Sequence, residues 1–170
     1  MLVGAYGQFW ERNQVNWGTY KWRLLGRQGL NTGTLKIVDF RYARGVYVLY
    51  NELGVYYVGL ASEKRGLGGR LKDHLVDKHG SRWTRFSWFS FDSPGGAAHP
   101  DGVHQIQQHD SVKAETQVMI RDLEALLQIA MQPFANKSET KFAKGSKWIQ
   151  VATTTPEVRT FDDLRERLTP

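Results

Sequence analysis

Six side chains stand at spacings from which proton-transfer and anion-binding chemistry could be assembled. Gly45-Val46-Tyr47 and Tyr57-Val58-Gly59 are short β-rich runs, separated by a stretch that includes the polar Asn51-Glu52-Leu53-Gly54. That stretch reads as a hairpin loop. Tyr47 shares the parity of Leu49, and Tyr57 that of Val55, so a hairpin brings both phenols to one face. Downstream, Arg70 and His74 sit four residues apart on a segment with Leu67, Leu71 and Leu75 at helical spacing, which puts the two side chains on one helix face. Histidine as a residue type exchanges protons near neutral pH, and arginine offers a planar cationic fork to anionic oxygens. Glu124 lies against an apolar stripe, where a carboxylate is costly unless a cation compensates it. Asn136 follows after Pro133 has ended that segment.

The elements that must position these groups can be traced along the chain. A helix is expected from Gly66 onward, carrying Arg70 and His74. A second is expected over roughly Ser111 to Met131, with Thr116, Ile120, Leu123, Leu127 and Ala130 on its apolar side. Trp83 to Phe91 is rich in aromatic residues and reads as a strand completing a three-stranded sheet with the hairpin. Before them, a short helix is expected around Gln8 to Trp17, and a strand over Thr34 to Phe40. Ser93 to Asp110 shows no periodicity and reads as a flexible polar loop. Its His99, His104 and His109 fit no compact metal-ligand spacing. Trp148 to Val151 reads as a last strand, and Thr160 with Asp163 as the cap of a short helix over Asp162 to Leu168.

Together these residues resemble the GIY-YIG nuclease family. Gly-Val-Tyr stands for its first signature and Tyr-Val-Gly for its second. Arg70 matches the arginine of the following helix, with His74 one turn on, as in restriction-enzyme members. Glu124 in Leu-Glu-Ala-Leu-Leu matches the metal-binding glutamate, and Asn136 in Pro-Phe-Ala-Asn the late asparagine. The match runs from about Arg44 to Asn136. Nine residues separate the two tyrosines, at the short end for the family, and the 93–110 segment reads as an insertion. The resemblance implies an α+β fold, a small central three-stranded antiparallel β-sheet flanked by helices. It implies a catalytic set of Tyr47, Tyr57, Arg70, His74, Glu124 and Asn136, and one Mg²⁺ or Mn²⁺ per site held by Glu124. The implied reaction is endonucleolytic hydrolysis of DNA leaving a 5′-phosphate and a 3′-hydroxyl. Tyr47 or His74 would be the base, Arg70 the cation at the transition state, and Asn136 a positioning group.

Composition agrees with a polyanionic partner. The chain has 170 residues, a formal net charge of +6 and a sequence pI near 9.6. Its organisation reads as an aromatic and basic extension over 1–43, a nuclease domain over 44–151 and a tail over 152–170. In the extension Lys21, Arg23 and Arg27 alternate with Tyr20 and Trp22. Lys64, Arg65, Lys72, Lys137, Lys141, Lys144 and Lys147 are the candidate nucleic-acid contacts. The lack of cysteine excludes disulfide frameworks and cysteine-based zinc modules. There is no signal-peptide pattern and no run long enough to span a bilayer, so a soluble cytoplasmic protein is expected. Cutting two strands with one site needs two protomers or two nicks, which makes a homodimer a candidate assembly. The competing readings are a nucleic-acid-binding module without turnover, or a nuclease of single-stranded DNA or RNA. A restriction or defence role suits the compact chain.

Overall fold

The computed structural model describes residues 2–18, 20–29, 34–62, 64–108, 116–132 and 142–153. Among the described residues nine strands form one mixed sheet. They are β1 (Ala5–Glu11), β2 (Leu25–Gln28), β3 (Lys36–Asp39), β4 (Gly45–Asn51), β5 (Gly54–Ala61), β6 (Arg85–Ser90), β7 (Ser93–Ala98), β8 (His104–Gln107) and β9 (Ser146–Gln150). Their order across the sheet is β5-β4-β6-β1-β9-β2-β3-β8-β7. The pairs β1·β9 and β3·β8 are parallel and the others antiparallel. Among the described residues there are two α-helices, α1 (Gly66–Asp73) and α2 (Thr116–Met131).

This overturns the expected architecture of a small three-stranded sheet flanked by helices. The antiparallel trio β5-β4-β6 is present, but it is one end of a much wider sheet. The lead-in supplies three further strands. Its expected helix over Gln8 to Trp17 is instead strand β1 followed by a 3-10 turn at Arg12–Gln14. The expected polar loop over 93–110 carries the antiparallel pair β7 and β8.

The sheet curls around an aromatic core. Phe40, just past β3, and Trp88 on β6 have ring centroids 4.3 Å apart, although three strands lie between β3 and β6. In a flat sheet those strands would stand about 19 Å apart, at about 4.8 Å per strand. Trp10 and Trp148 pack edge-on against Phe40 in the same cluster. Space for these rings comes from small residues: a Cβ on Gly7 would lie 2.3 Å from the Trp88 ring nitrogen, and one on Gly26 2.8 Å from Phe40.

β4 separates the two layers that matter for chemistry. Tyr47 and Leu49 point into the aromatic core with Phe86 and Trp88. Val48 and Tyr50 point the other way, with Phe89, into a second cluster roofed by Ala125, Ile129 and Ala130 of α2. The Tyr50 hydroxyl donates to the Ala130 carbonyl at 3.1 Å, and buried Asp122 accepts from the backbone of Leu2, Val3 and Ala143. α2 therefore turns a different side inward from the one expected: Leu123 and Leu127 are about half exposed. No helix among the described residues is long and apolar enough to cross a membrane.

Candidate active site

β5 and β6 run parallel to each other on either side of β4, so the chain between them must cross a face of β4. α1 is that crossing, and it lies on the Tyr47 face with Leu67 and Leu71 buried in the aromatic core. Its first turn has no side-chain cap; the Leu67 and Gly68 amides instead donate to the carbonyls of Ala43 and Arg41, each at 2.8 Å. Gly66 opens the helix at φ +58, where a Cβ would meet the Tyr42 backbone at 2.6 Å. The helix ends at His74, whose carbonyl accepts from the Trp83 indole at 3.1 Å.

The hairpin then brings its tyrosines to this helix end. Tyr47 pairs with Gly59 and Leu49 with Tyr57, which places both phenols on one face with ring centroids 6.2 Å apart. A bulge opposite Leu49/Tyr50 leaves Tyr56 as the extra residue of β5. Bulges re-aim neighbouring side chains, and here Tyr56 and Tyr57 both pack toward the aromatic-core face.

Hydrogen bonds link these groups in series. The Tyr47 hydroxyl meets His74 Nε2 at 2.7 Å, and His74 Nδ1 meets an Asp77 carboxylate oxygen at 2.7 Å. An ionised carboxylate only accepts, so Nδ1 carries the imidazole proton and Nε2 takes the hydrogen of Tyr47. The other Asp77 oxygen accepts from the His79 amide at 2.8 Å, and the Tyr56 hydroxyl is joined to His79 Nδ1 at 2.9 Å. The Tyr57 ring sits against both imidazoles, 5.2 Å from His74 and 4.7 Å from His79.

Charge is distributed to suit that series. Burial pushes the Asp77 carboxyl up, but the His79 amide and the His74 ring outweigh it, so its pKa lies below the usual carboxylate value. The Tyr47 phenol is pushed up to about 12, first by burial and then by the Tyr57 phenol, against the downward pull of the Arg70 guanidinium. Arg70 Nε is itself buried with no hydrogen-bond partner. The Tyr47 shift has a consequence for stability. Its folded pKa lies above the unfolded value of 10.0, so the native state keeps a proton that the unfolded chain loses. That stability is whole below pH 10.0 and lost as pH rises through about 12. The thermal midpoint is expected to fall over this alkaline range, with a shallower fall in Tyr47→Phe.

Both signature glycines have a spatial reason. A Cβ on Gly45 would lie 1.9 Å from the Phe89 carbonyl oxygen, and one on Gly59 2.2 Å from the Tyr47 hydroxyl. Gly59→Ala is expected to cost about 1–3 kcal/mol by overpacking and to push the phenol off His74. A lowered thermal midpoint together with lost activity is the expected result.

The other expected site residues are not gathered here. Glu124 is exposed on α2, accepts from Gln128 at 2.9 Å, and belongs to the helix that covers the opposite face of β4. Asn136, Lys137 and Lys141 lie outside the described residues, as does the expected helix over Asp162 to Leu168. Arg65 pairs with Asp73 at 2.7 Å, and the Lys72 ammonium stands 5.4 Å from the centre of the Trp22 ring. Lys64, Lys144 and Lys147 are exposed, and Lys147 is in register with Tyr6 on the α2 side of the sheet. Of the lead-in cations, Arg23 is paired with Asp101 and Arg27 donates to the Gly29 carbonyl. Trp22 is buried, so its ring serves packing. Asp77, His79 and Tyr56 are the members sequence reasoning missed, and the signal was the run His74-x-x-Asp77-x-His79.

Comparison with known proteins returns no matching family model, no matching curated protein and no matching solved structure.

Proposed function

We propose that this protein is a cytoplasmic endonuclease that hydrolyses phosphodiester bonds in DNA. The observation that carries the reading is the series Tyr47–His74–Asp77, two bonds of 2.7 Å, beside the guanidinium of Arg70. These distances are within the reach that general-base catalysis needs. In this reading the site opens enough to admit a water to Tyr47, which is fully buried at rest. The water attacks phosphorus and passes its proton to Tyr47 as Tyr47 passes its own to His74 Nε2. Asp77 holds the ring and stabilises the imidazolium that forms. A P–O bond forms to the water oxygen, the bond to the 3′-oxygen breaks, and that oxygen is protonated from solvent. Arg70 offers its guanidinium, beside Tyr47, to the charge that builds on the phosphoryl oxygens. Tyr57 orients the phosphate. The net charge of +6 favours the polyanionic substrate.

A Mg²⁺ or Mn²⁺ held by Glu124 does not fit this site, because Glu124 stands on the far side of β4 from Tyr47 and Arg70. Glu124→Ala is therefore expected to cleave within about threefold of wild type, a change too small to signal a lost transition-state contact. The reading as a whole is tested on supercoiled plasmid in Mg²⁺ buffer. Nicking or linearisation by the wild type supports it, and a folded protein that binds DNA but hydrolyses neither duplex, single strand nor RNA overturns it.

A further inference from the structure

We propose that His74, Asp77 and His79 form a site for a zinc-class divalent ion, and that filling it silences the Tyr47–His74 series. Each of the three residues brings one ligand atom within 4.8 Å of the other two. Two imidazoles and one carboxylate are the donor set of borderline-soft ions such as Zn²⁺ and Co²⁺, whereas Mg²⁺ takes oxygen. Three protein ligands leave a fourth position open. Ligand atoms around a tetrahedral ion with bonds of about 2.0–2.1 Å stand about 3.3–3.4 Å apart, so the His74 Nδ1–Asp77 pair, hydrogen-bonded at 2.7 Å, must open to admit the ion. Exposed Asp77 and half-buried His79 on the turn after α1 leave room for that movement.

The surroundings are those of a prepared site. Metal-bound imidazoles are held through their second nitrogen by a neighbouring polar group. Here a tyrosine hydroxyl serves each ring: Tyr47 on His74 Nε2 at 2.7 Å and Tyr56 on His79 Nδ1 at 2.9 Å. The Tyr57 ring lies against both histidines.

Valence makes occupancy and proton acceptance exclusive. An ion on His74 Nδ1 takes the electron pair that would otherwise bind a proton there, so a neutral ring carries its proton on Nε2. That nitrogen then donates to Tyr47 and cannot accept from it. Binding stands independently of the nuclease reading; the inhibition rests on it.

The test is a titration of the protein with Co²⁺, followed by visible absorption, and with Zn²⁺ by calorimetry, in the absence of nucleic acid. One ion per chain is expected, with affinity at least about tenfold weaker in His79→Ala and Asp77→Asn, the loss typical of disturbed metal surroundings. His79→Gln, which keeps a partner for Tyr56, is expected to bind as weakly as His79→Ala while its thermal midpoint stays near wild type. In cleavage assays with Mg²⁺ present, Zn²⁺ is expected to inhibit the wild type at lower concentration than it inhibits His79→Gln, each relative to its own zinc-free rate. Absence of binding, or affinity unchanged by His79→Gln, overturns the site whatever the cleavage assay gives. Tight binding in a protein that cleaves nothing keeps the site and removes the nuclease reading.

Discussion

Tyr47→Phe is expected to slow single-turnover cleavage by about 10²–10⁴-fold, the usual worth of a positioned acid–base group. The substitution is narrow. The ring keeps its packing over Gly59 and beside Tyr57, and only the hydroxyl that meets His74 Nε2 is removed. His74 is buried, so its Nε2 is left without a partner at a cost of about 1–3 kcal/mol. The thermal midpoint should therefore fall somewhat, and rates are compared well below it. If the phenol served packing alone, that modest loss of stability would be the whole effect.

Arg70→Ala is expected to lower the rate by about 10²–10³-fold, as for other removed transition-state donors. Substrate binding should fall far less, because the rest of the basic surface is untouched. The guanidinium faces the Tyr47 and Tyr57 phenols, and its buried Nε–H has no acceptor among the described groups. Arg70→Lys should recover little, since a point charge cannot replace the planar fork. Single-turnover rates alongside binding constants separate the two effects.

The part of the site built from local signals was legible in the sequence. Alternation fixed which face of the hairpin carries Tyr47 and Tyr57, and fourfold spacing placed Arg70 and His74 together. The structure has both phenols on one face and carries Arg70 and His74 on α1 and its end, but the bulge at Tyr56 sets Val55 opposite Tyr50, so the expected shared parity of Tyr57 and Val55 does not hold. What was not legible depends on contacts between distant segments. β1 read as helix because a bulge between Gly7 and Trp10, with Phe9 at φ 53, breaks the period of two. Its parallel pairing with β9 joins residues far apart in the chain, which no local pattern announces. β7 looked like loop because of Pro94, yet β7 is an edge strand, where proline is tolerated. The face of α2 was misjudged for a similar reason: Asp122 points inward to hold backbone amides, and large Leu123 and Leu127 point outward. That rotation follows from what the helix packs against. The docking of α2 on the Val48 and Tyr50 face is what sets Glu124 on the far side of β4 from Tyr47.

The most direct test of the central claim is single-turnover cleavage of a labelled duplex by Tyr47→Phe, His74→Ala and the double variant, each against wild type. Groups that act as one relay lose their effect together. The account predicts that the double variant is scarcely slower than the worse single variant. Losses that multiply would show that Tyr47 and His74 act independently, and would contradict it.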